Sequence, residues 1–244
     1  KENLQTYGRD RRAYEKWADG DWKAADRLMK LINKHDKSAD HVGPISLGFC
    51  HRPSFNVMTK AENSAKGNRF MINDFEQLII DEKKEEVVSW HTKPLWDLVK
   101  EKIKNKKDVE KLSKLMRRNM DCVLIILHEI SKIGYLKFLL SILNPQYAYF
   151  SNFKFENFNK VTGEYTKLIK TPSRRKENED NAKRYVEISF ESLEEYQNKK
   201  NRRLANIPPK DLTSYIEIFK KNPNRETLVS IYTQIAKKIS KNIF

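Results

Sequence analysis

Glycine is scarce in this chain, seven among 244 residues, which is less than half the usual share of roughly 7%. So little glycine predicts long helices and argues against glycine-rich barrels, propellers and dinucleotide-binding folds. Cysteine is scarcer still. Cys50 and Cys122 are the only two, which excludes a disulfide scaffold and any zinc site built on four cysteines, so no structural zinc is expected. Long apolar runs are missing as well. The longest, Cys122 to Leu127, falls far short of the roughly 20 residues that a membrane span needs, and no membrane partner is expected. The polar opening Lys1-Glu2-Asn3-Leu4-Gln5 is unlike a signal peptide, and Lys1 in place of an initiator Met is expected of a processed chain or a piece of a longer protein. A reducing, cytoplasmic setting is the expectation that follows.

What the chain has is charge. Lys and Arg number 48 against 33 Asp and Glu, a net +15 with histidine neutral. The signs are mixed along the chain, and Leu, Ile, Phe and Tyr are plentiful, so a folded basic protein is expected and not a disordered one. A protein this basic is expected to meet a polyanion, because Lys and Arg contacts to phosphates release counterions and dominate affinity. A merely soluble basic protein is the alternative that composition leaves open.

Along the chain, helical periodicity predominates. Tyr14, Trp17, Trp22, Ala25, Leu28, Met29 and Ile32 recur at mostly three- and four-residue spacing, broken at Asp19-Gly20-Asp21. Ser38 to Phe55 has two glycines, two prolines and no helical period, and reads as a loop or short hairpin. Thr59-Lys60-Ala61-Glu62 is a capping box that opens a helix toward Arg69, and Asn73-Asp74-Phe75-Glu76 opens another running toward Val88. Pro94 suits the first position of a further helix. Asp108 to Leu143 carries a long buried helix, a stop at Gly134 and a second short helix before Pro145. Beyond Pro145 the aromatics of Tyr147 to Tyr165, with Phe153 and Phe155 alternating against charges and Thr162-Gly163 as a turn, predict a β element. Tyr185 to Phe190 reads as one more strand, followed by helices at about 193–204, 212–220 and 226–240.

Candidate chemistry concentrates between residues 40 and 69. Asp40 and His41 are neighbours on an irregular, extended segment, where adjacent side chains point oppositely, so that one can face a metal and the other a substrate. Asn56 follows fifteen residues after His41, just ahead of the capped helix, and Asn63 sits on that helix's first turns. Asp40 and the amide oxygen of Asn63 are hard donors suited to Mg²⁺ (or Mn²⁺), one ion per site. His41 has the pKa range to take a proton from an attacking water, and Asn56 is placed to orient it. Lys60, Lys66 and Arg69 share the helix and are candidates for neutralising phosphates. The set describes a one-metal phosphodiester hydrolase.

The Asp-His-x-x-Pro opening at 40–44, Asn56, and Asn63-x-x-Lys66-Gly67 on a following helix resemble the HNH, or ββα-metal, nuclease motif. The resemblance implies His41 as general base, Asp40 and Asn63 as metal ligands and Asn56 as the central Asn. Two departures stand out: the Asn56–Asn63 interval is shorter than usual, and the paired cysteines that brace many such modules are absent, leaving Trp17, Trp22 and Phe70 to brace it by packing. The longer string from Asp40 to Arg69 resembles the cleavage region of a family of type IIS restriction endonucleases that recognise asymmetric GTCTC-containing sites and cut outside them. Its members are much longer, which implies a nuclease-bearing portion or a shortened relative, at home in the cytoplasm of a prokaryotic cell.

Other features have plainer readings. Cys50-His51 lacks a second pair at zinc-ligand spacing and reads as a loop cysteine with a phosphate-contacting or solvent-facing histidine. His35 reads as a helix end, and His91 and His128 as structural histidines. The aromatic stretch reads as the buried face of a hairpin, with base stacking as the alternative. Arg174, Arg175 and Lys176, and the basic run 199–203, are phosphate-backbone candidates or a solvated face.

The expected fold is α+β and mainly helical: a helical lead-in over 1–35, a ββα-metal module over 36–72, helical support over 73–144, and a basic α+β region over 145–244 for DNA contact or dimerisation. The expected function is metal-dependent cleavage of double-stranded DNA. Each chain carries one site, so cutting both strands requires a homodimer or sequential nicking. A homing or nicking HNH enzyme, or a non-catalytic basic DNA-binding protein, are the alternatives.

Overall fold

The computed structural model describes residues 20–143, 152–171, 187–191, 209–241 and 243. Its elements run α1 (Trp22–Asn33), β1 (Ser38–His41), a short 3-10 turn at Ile45–Leu47, β2 (Phe55–Met58), α2 (Lys60–Lys66), α3 (Ile72–Asp81), α4 (Lys93–Val99), α5 (Lys106–Lys132), α6 (Leu136–Ile142), β3 (Asn152–Glu156), β4 (Lys167–Thr171), α7 (Pro209–Lys221) and α8 (Arg225–Ser240). Helices dominate, and the strands form two separate antiparallel pairs, β1–β2 and β3–β4. The α+β, mainly helical expectation agrees with this architecture. None of the helices is long and apolar enough to cross a membrane among the described residues.

Two cores organise the chain. The larger is built on α5, whose Leu112, Leu115, Met116, Val123, Ile126 and Leu127 are buried against α3, α4, α6, α7 and α8. Asn105 caps the start of α5 by accepting the Asp108 N–H at 3.1 Å, and Trp96 on α4 is wholly buried within the same core. Trp22 and Phe70 are buried in this core; Trp17 lies outside the described residues. The smaller core holds Ala24, Leu28 and Ile32 of α1, Ala39 of β1 and Phe155 of β3, with Phe55, Val57 and Tyr165 packed around it. Phe155 and Tyr165 meet edge-on at 4.8 Å, and with Phe153 and Phe158 they pack on α1, so the described part of the aromatic run is a packing face; Tyr147, Tyr149 and Phe150 lie outside the described residues. The turn of this run is wider than Thr162-Gly163 alone, because β4 begins only at Lys167.

The β1–β2 hairpin lies between α1 and α2. Strand alternation sorts its residues onto two faces. Ala39, Phe55 and Val57 face α1 and the small core, whereas Ser38 and Asp40 receive side chains from α2. The connection between the strands is tied to the large core at Gly48, which has φ +91° and stands where a Cβ would lie 2.2 Å from Thr92 Oγ1 and 2.8 Å from Met120 Sδ. Only glycine fits that approach.

Three sequence expectations are corrected. The helix opened at Asn73 stops at Asp81 and does not run on toward Val88. Residues beyond it are taken by tertiary pairing: Cys50 N–H donates to the Val87 carbonyl at 2.9 Å, Phe49 bridges Val88, and Arg52 pairs with Asp81 at 3.1 Å. The helix opened at Thr59 ends at Lys66, where the Gly67 N–H closes on the Asn63 carbonyl at 2.8 Å, three residues short of Arg69. Residues 187–191 form a helical turn and not a strand. Val186 and Phe190 are four apart, a spacing that a helical turn serves as well as an alternating strand does, and Phe190 is buried beside His128. The predicted helix at 193–204 lies outside the described residues.

Candidate active site

Helix α2 is held in place by its own first turn. Thr59 Oγ1 accepts the Glu62 N–H at 3.2 Å while the Glu62 carboxylate takes the Thr59 N–H at 2.7 Å, which is the reciprocal capping box expected from the sequence. Because β2 runs directly into this cap, α2 folds back along the hairpin it follows. Asn63 then donates its amide to Ser38 Oγ at 2.6 Å, and Lys66 reaches Asp40 Oδ2 at 2.5 Å. Asp40 and Asn56 are direct register partners across the strands.

A further side chain completes this face. Asp74, in the first turn of α3, accepts the Met71 N–H at 3.0 Å, the Asn56 amide at 2.9 Å and the Lys66 ammonium at 2.8 Å. Its carboxylate is almost entirely buried, and Asp40 and Lys66 are only about one-tenth exposed. The Lys66 ammonium is therefore lodged between two carboxylates, and Asn56, expected to orient His41, is instead tied by its amide to this cluster, because it pairs across the strands with Asp40 and so faces away from His41. Burial pushes the Asp40 carboxyl above its ordinary value, against the pull of the Lys66 ammonium beside it. The oxygens gathered here, the Asp40 and Asp74 carboxylates and the side-chain amides of Asn56 and Asn63, are hard donors of the kind Mg²⁺ takes, with the Lys66 ammonium now between the two carboxylates. Among the described residues no group of three or more His, Cys, Asp or Glu side chains is disposed to hold a metal, so an ion at this place would rest on a mixed carboxylate–amide set completed by water.

His41 lies on the other side. It is half-buried at the end of β1, and its Nε2 is shielded from solvent. Its ring meets Phe55, its register partner, at 4.9 Å and 63°, and meets His51 at 4.8 Å and 62°. His51 in turn lies 3.6 Å from the Asp26 carboxylate on α1. Cys50 and His51 are both buried, so the solvent-facing or phosphate-contacting histidine expected at position 51 is an interior one, drawn in because its loop is anchored on residues 87–89.

The helix cations divide. Lys60 is largely exposed and pairs with exposed Asp36 at 2.9 Å. Arg69 is exposed, with its guanidinium turned onto the Lys66 and Ala65 carbonyls at the end of α2. Lys66 is the inward one. Arg174, Arg175 and Lys176 lie outside the described residues. Sequence reasoning did not assign Asp74, which reads there only as a helix opener 34 positions from Asp40; no local spacing links them. Asp26 was findable, since it falls four residues after Trp22 on the buried stripe of α1, an odd place for an acid.

Residues 1–242 match the family described as Type II restriction endonuclease (RE_Alw26IDE). No curated protein and no solved structure matches the chain.

Proposed function

Because the chain belongs to the Type II restriction endonuclease family over residues 1–242, it is a DNA endonuclease, and we propose that it cuts through one Mg²⁺-dependent HNH-type site per chain, outside an asymmetric GTCTC-containing target. The observation that carries this reading is the hairpin-to-helix unit: Asp40 paired across the strands with Asn56, and a capped helix that returns Asn63 and Lys66 to the same face.

In this reading Asp40 and Asn63 hold the ion, with Asp74 as the adjoining carboxylate. When bound, Mg²⁺ polarises the scissile phosphate and stabilises charge on the leaving oxygen. His41 takes the proton from the attacking water. Asn56 holds the Asp40–Asp74 side of the site together through its amide. Lys66, whose ammonium lies between the Asp40 and Asp74 carboxylates, would be the cation beside the ion available to a phosphate, and Lys60 and Arg69 would serve the backbone further out. One site cuts one strand, and a homodimer or two sequential events complete a double-strand break.

The test is cleavage of a plasmid carrying GTCTC sites by the full chain, with Mg²⁺ or EDTA, beside His41→Ala. Metal-dependent cutting that falls at least about 100-fold in the variant is the expected result. Cutting that survives the substitution removes His41 as the base. A specific observation favours one second reading: Lys66 bridging Asp40 and Asp74 also describes a site in which two carboxylates hold the ion and the lysine activates the water, with His41 structural. That reading predicts loss of cutting in Lys66→Met and retention in His41→Ala.

A further inference from the structure

Behind His41 is a pair of ionisable side chains for which the reaction as described has no use. Asp26 on α1 is 4% exposed and His51 is fully buried, with Nε2 3.6 Å from the carboxylate. Burying a carboxylate and an imidazole is costly, and an apolar pair of similar volume would fill the space between α1 and the hairpin at less expense. What this pair touches next is the ring of His41, edge-on at 4.8 Å. A histidine at the end of a short strand has two free side-chain torsions. Phe55 on β2 restricts them through one edge-on ring contact, and His51 supplies a second.

We propose that His51, held in place by Asp26, is a positioning residue that fixes the ring plane of His41. The proposal rests on His41 being the general base. His51 acts through His41 and touches neither DNA nor metal. Asp26 is the anchor: a histidine side chain in an apolar pocket would otherwise choose its rotamer by packing alone, whereas a buried carboxylate selects the rotamer that brings an imidazole nitrogen toward it. The chain of contact therefore runs from α1 through the strand connection to the end of β1, and links the small core to the reacting side chain. Reaction rates respond steeply to such placement, because a misplacement of about 1 Å in a reacting group costs on the order of 100-fold.

The experiment uses the full chain and three variants. His51→Gln removes the ring but keeps a polar partner for Asp26. Asp26→Asn keeps His51 and removes the charge. The double variant Asp26→Asn/His51→Phe returns an aromatic edge without the carboxylate–imidazole contact. Each is measured by single-turnover plasmid cleavage in Mg²⁺, by DNA affinity in EDTA, and by the side-chain mobility of His41 in protein labelled at its five histidines. In His51→Gln we expect cleavage to fall about 10- to 100-fold with DNA affinity unchanged, and the His41 ring signals to show averaging absent from the wild type. Asp26→Asn is expected to fall less, and the double variant to recover most of the rate and a fixed His41 ring. A His41 ring as rigid in His51→Gln as in the wild type, or a folded double variant no faster than His51→Gln, overturns the proposal. Should His51→Gln fail to fold, a double variant that folds yet cleaves more than about 10-fold below the wild type overturns it equally. Retained cutting in His41→Ala would sink the base assignment instead, and the ring mobility reads the clamp independently of that outcome.

Discussion

The two faces of the β1–β2 hairpin differ in what holds them. Toward α2 the face is ionic: Asp40, Lys66, Asp74 and Asn56 form one cluster, with Lys66 Nζ at 2.5 and 2.8 Å from the two carboxylates. Toward α1 the face is packed: Ala39, Phe55 and Val57 join Leu28 and Ile32, and His41 sits at its edge against His51. Asp40 and His41 are adjacent in sequence and yet belong to different environments, because a strand sends successive side chains to opposite sides. One face can therefore be tuned for a cation while the other fixes a ring. Changes confined to one face should leave separate signatures.

The largest effect on stability is expected from Lys66→Met. Removing the ammonium leaves two nearly buried carboxylates facing each other without a counter-charge, and loss of one partner from a buried ionic cluster costs about 3 kcal/mol. Denaturant unfolding measures it. Adding Asp74→Asn should recover a good part of that loss, and millimolar Mg²⁺ should raise the melting temperature of Lys66→Met more than that of the wild type. A variant as stable as the wild type, and indifferent to Mg²⁺, would show that the cluster neither strains nor binds.

How much of this was legible in the sequence depends on how local each cause is. The helices α1, α5, α7 and α8 declare themselves by apolar period, and α2 by Thr59 and Glu62, since caps and stripes are set by residues three or four apart. The hairpin was legible as an irregular stretch ahead of that cap. The neighbourhood of Asp40, Asn56, Asn63 and Lys66 was legible because all four lie on one hairpin-helix unit. What was lost is tertiary. Asp74 reaches the cluster only because α3 docks there, and the end of α3 at Asp81 is decided by Arg52 and by the 48–50 segment pairing with 87–89. His51 turned inward for the same reason. Alternation at Val186, Ile188 and Phe190 misled because six residues are too few to separate a period of two from a helical turn.

The packed face is broken more gently at Gly163. This residue, in the loop between β3 and β4, has φ +73°, and a Cβ on it would lie 2.4 Å from Val57 Cγ2 and 3.2 Å from Ile32 Cδ1. Gly163→Ala combines left-handed strain with overpacking of the small core and should cost about 2 kcal/mol by thermal or denaturant unfolding. It should do so without altering the Mg²⁺ response, because Val57 and Asn56 point to opposite faces. A Mg²⁺ response lost together with stability would mean that the two faces are coupled through β2.

His91 gives the measure of a buried histidine with no part in either face. Burial, with the Arg225 charge adding to it, lowers its pKa from 6.5 to about 3. The native state thus keeps it neutral, while the unfolded chain takes up a proton below 6.5. Stability from this group is full above pH 6.5 and is lost as pH falls toward 3, at about 1.4 kcal/mol per pH unit. In His91→Asn the acid limb of the stability–pH curve should flatten by that slope, whatever the substitution costs at pH 7. An unchanged slope would show that His91 is protonated in the native state.

Lys60 should give the smallest effect, and one of a different kind. It lies on α2, the same helix as Lys66, but its ammonium is 72% exposed and its partner Asp36 is 91% exposed. A pair that open to water is screened and holds little of the fold together. Lys60→Ala is therefore expected to leave the unfolding curve where it is. If Lys60 neutralises one phosphate, the slope of log affinity against log salt should decrease in magnitude by about one, uniformly across DNA sequences. Titration of DNA binding between about 50 and 200 mM salt reads that slope. A steeper or unchanged slope assigns Lys60 to solvent. The loss of a unit with stability intact separates the two lysines of α2 by function: one holds the site closed on itself, and the other meets the substrate.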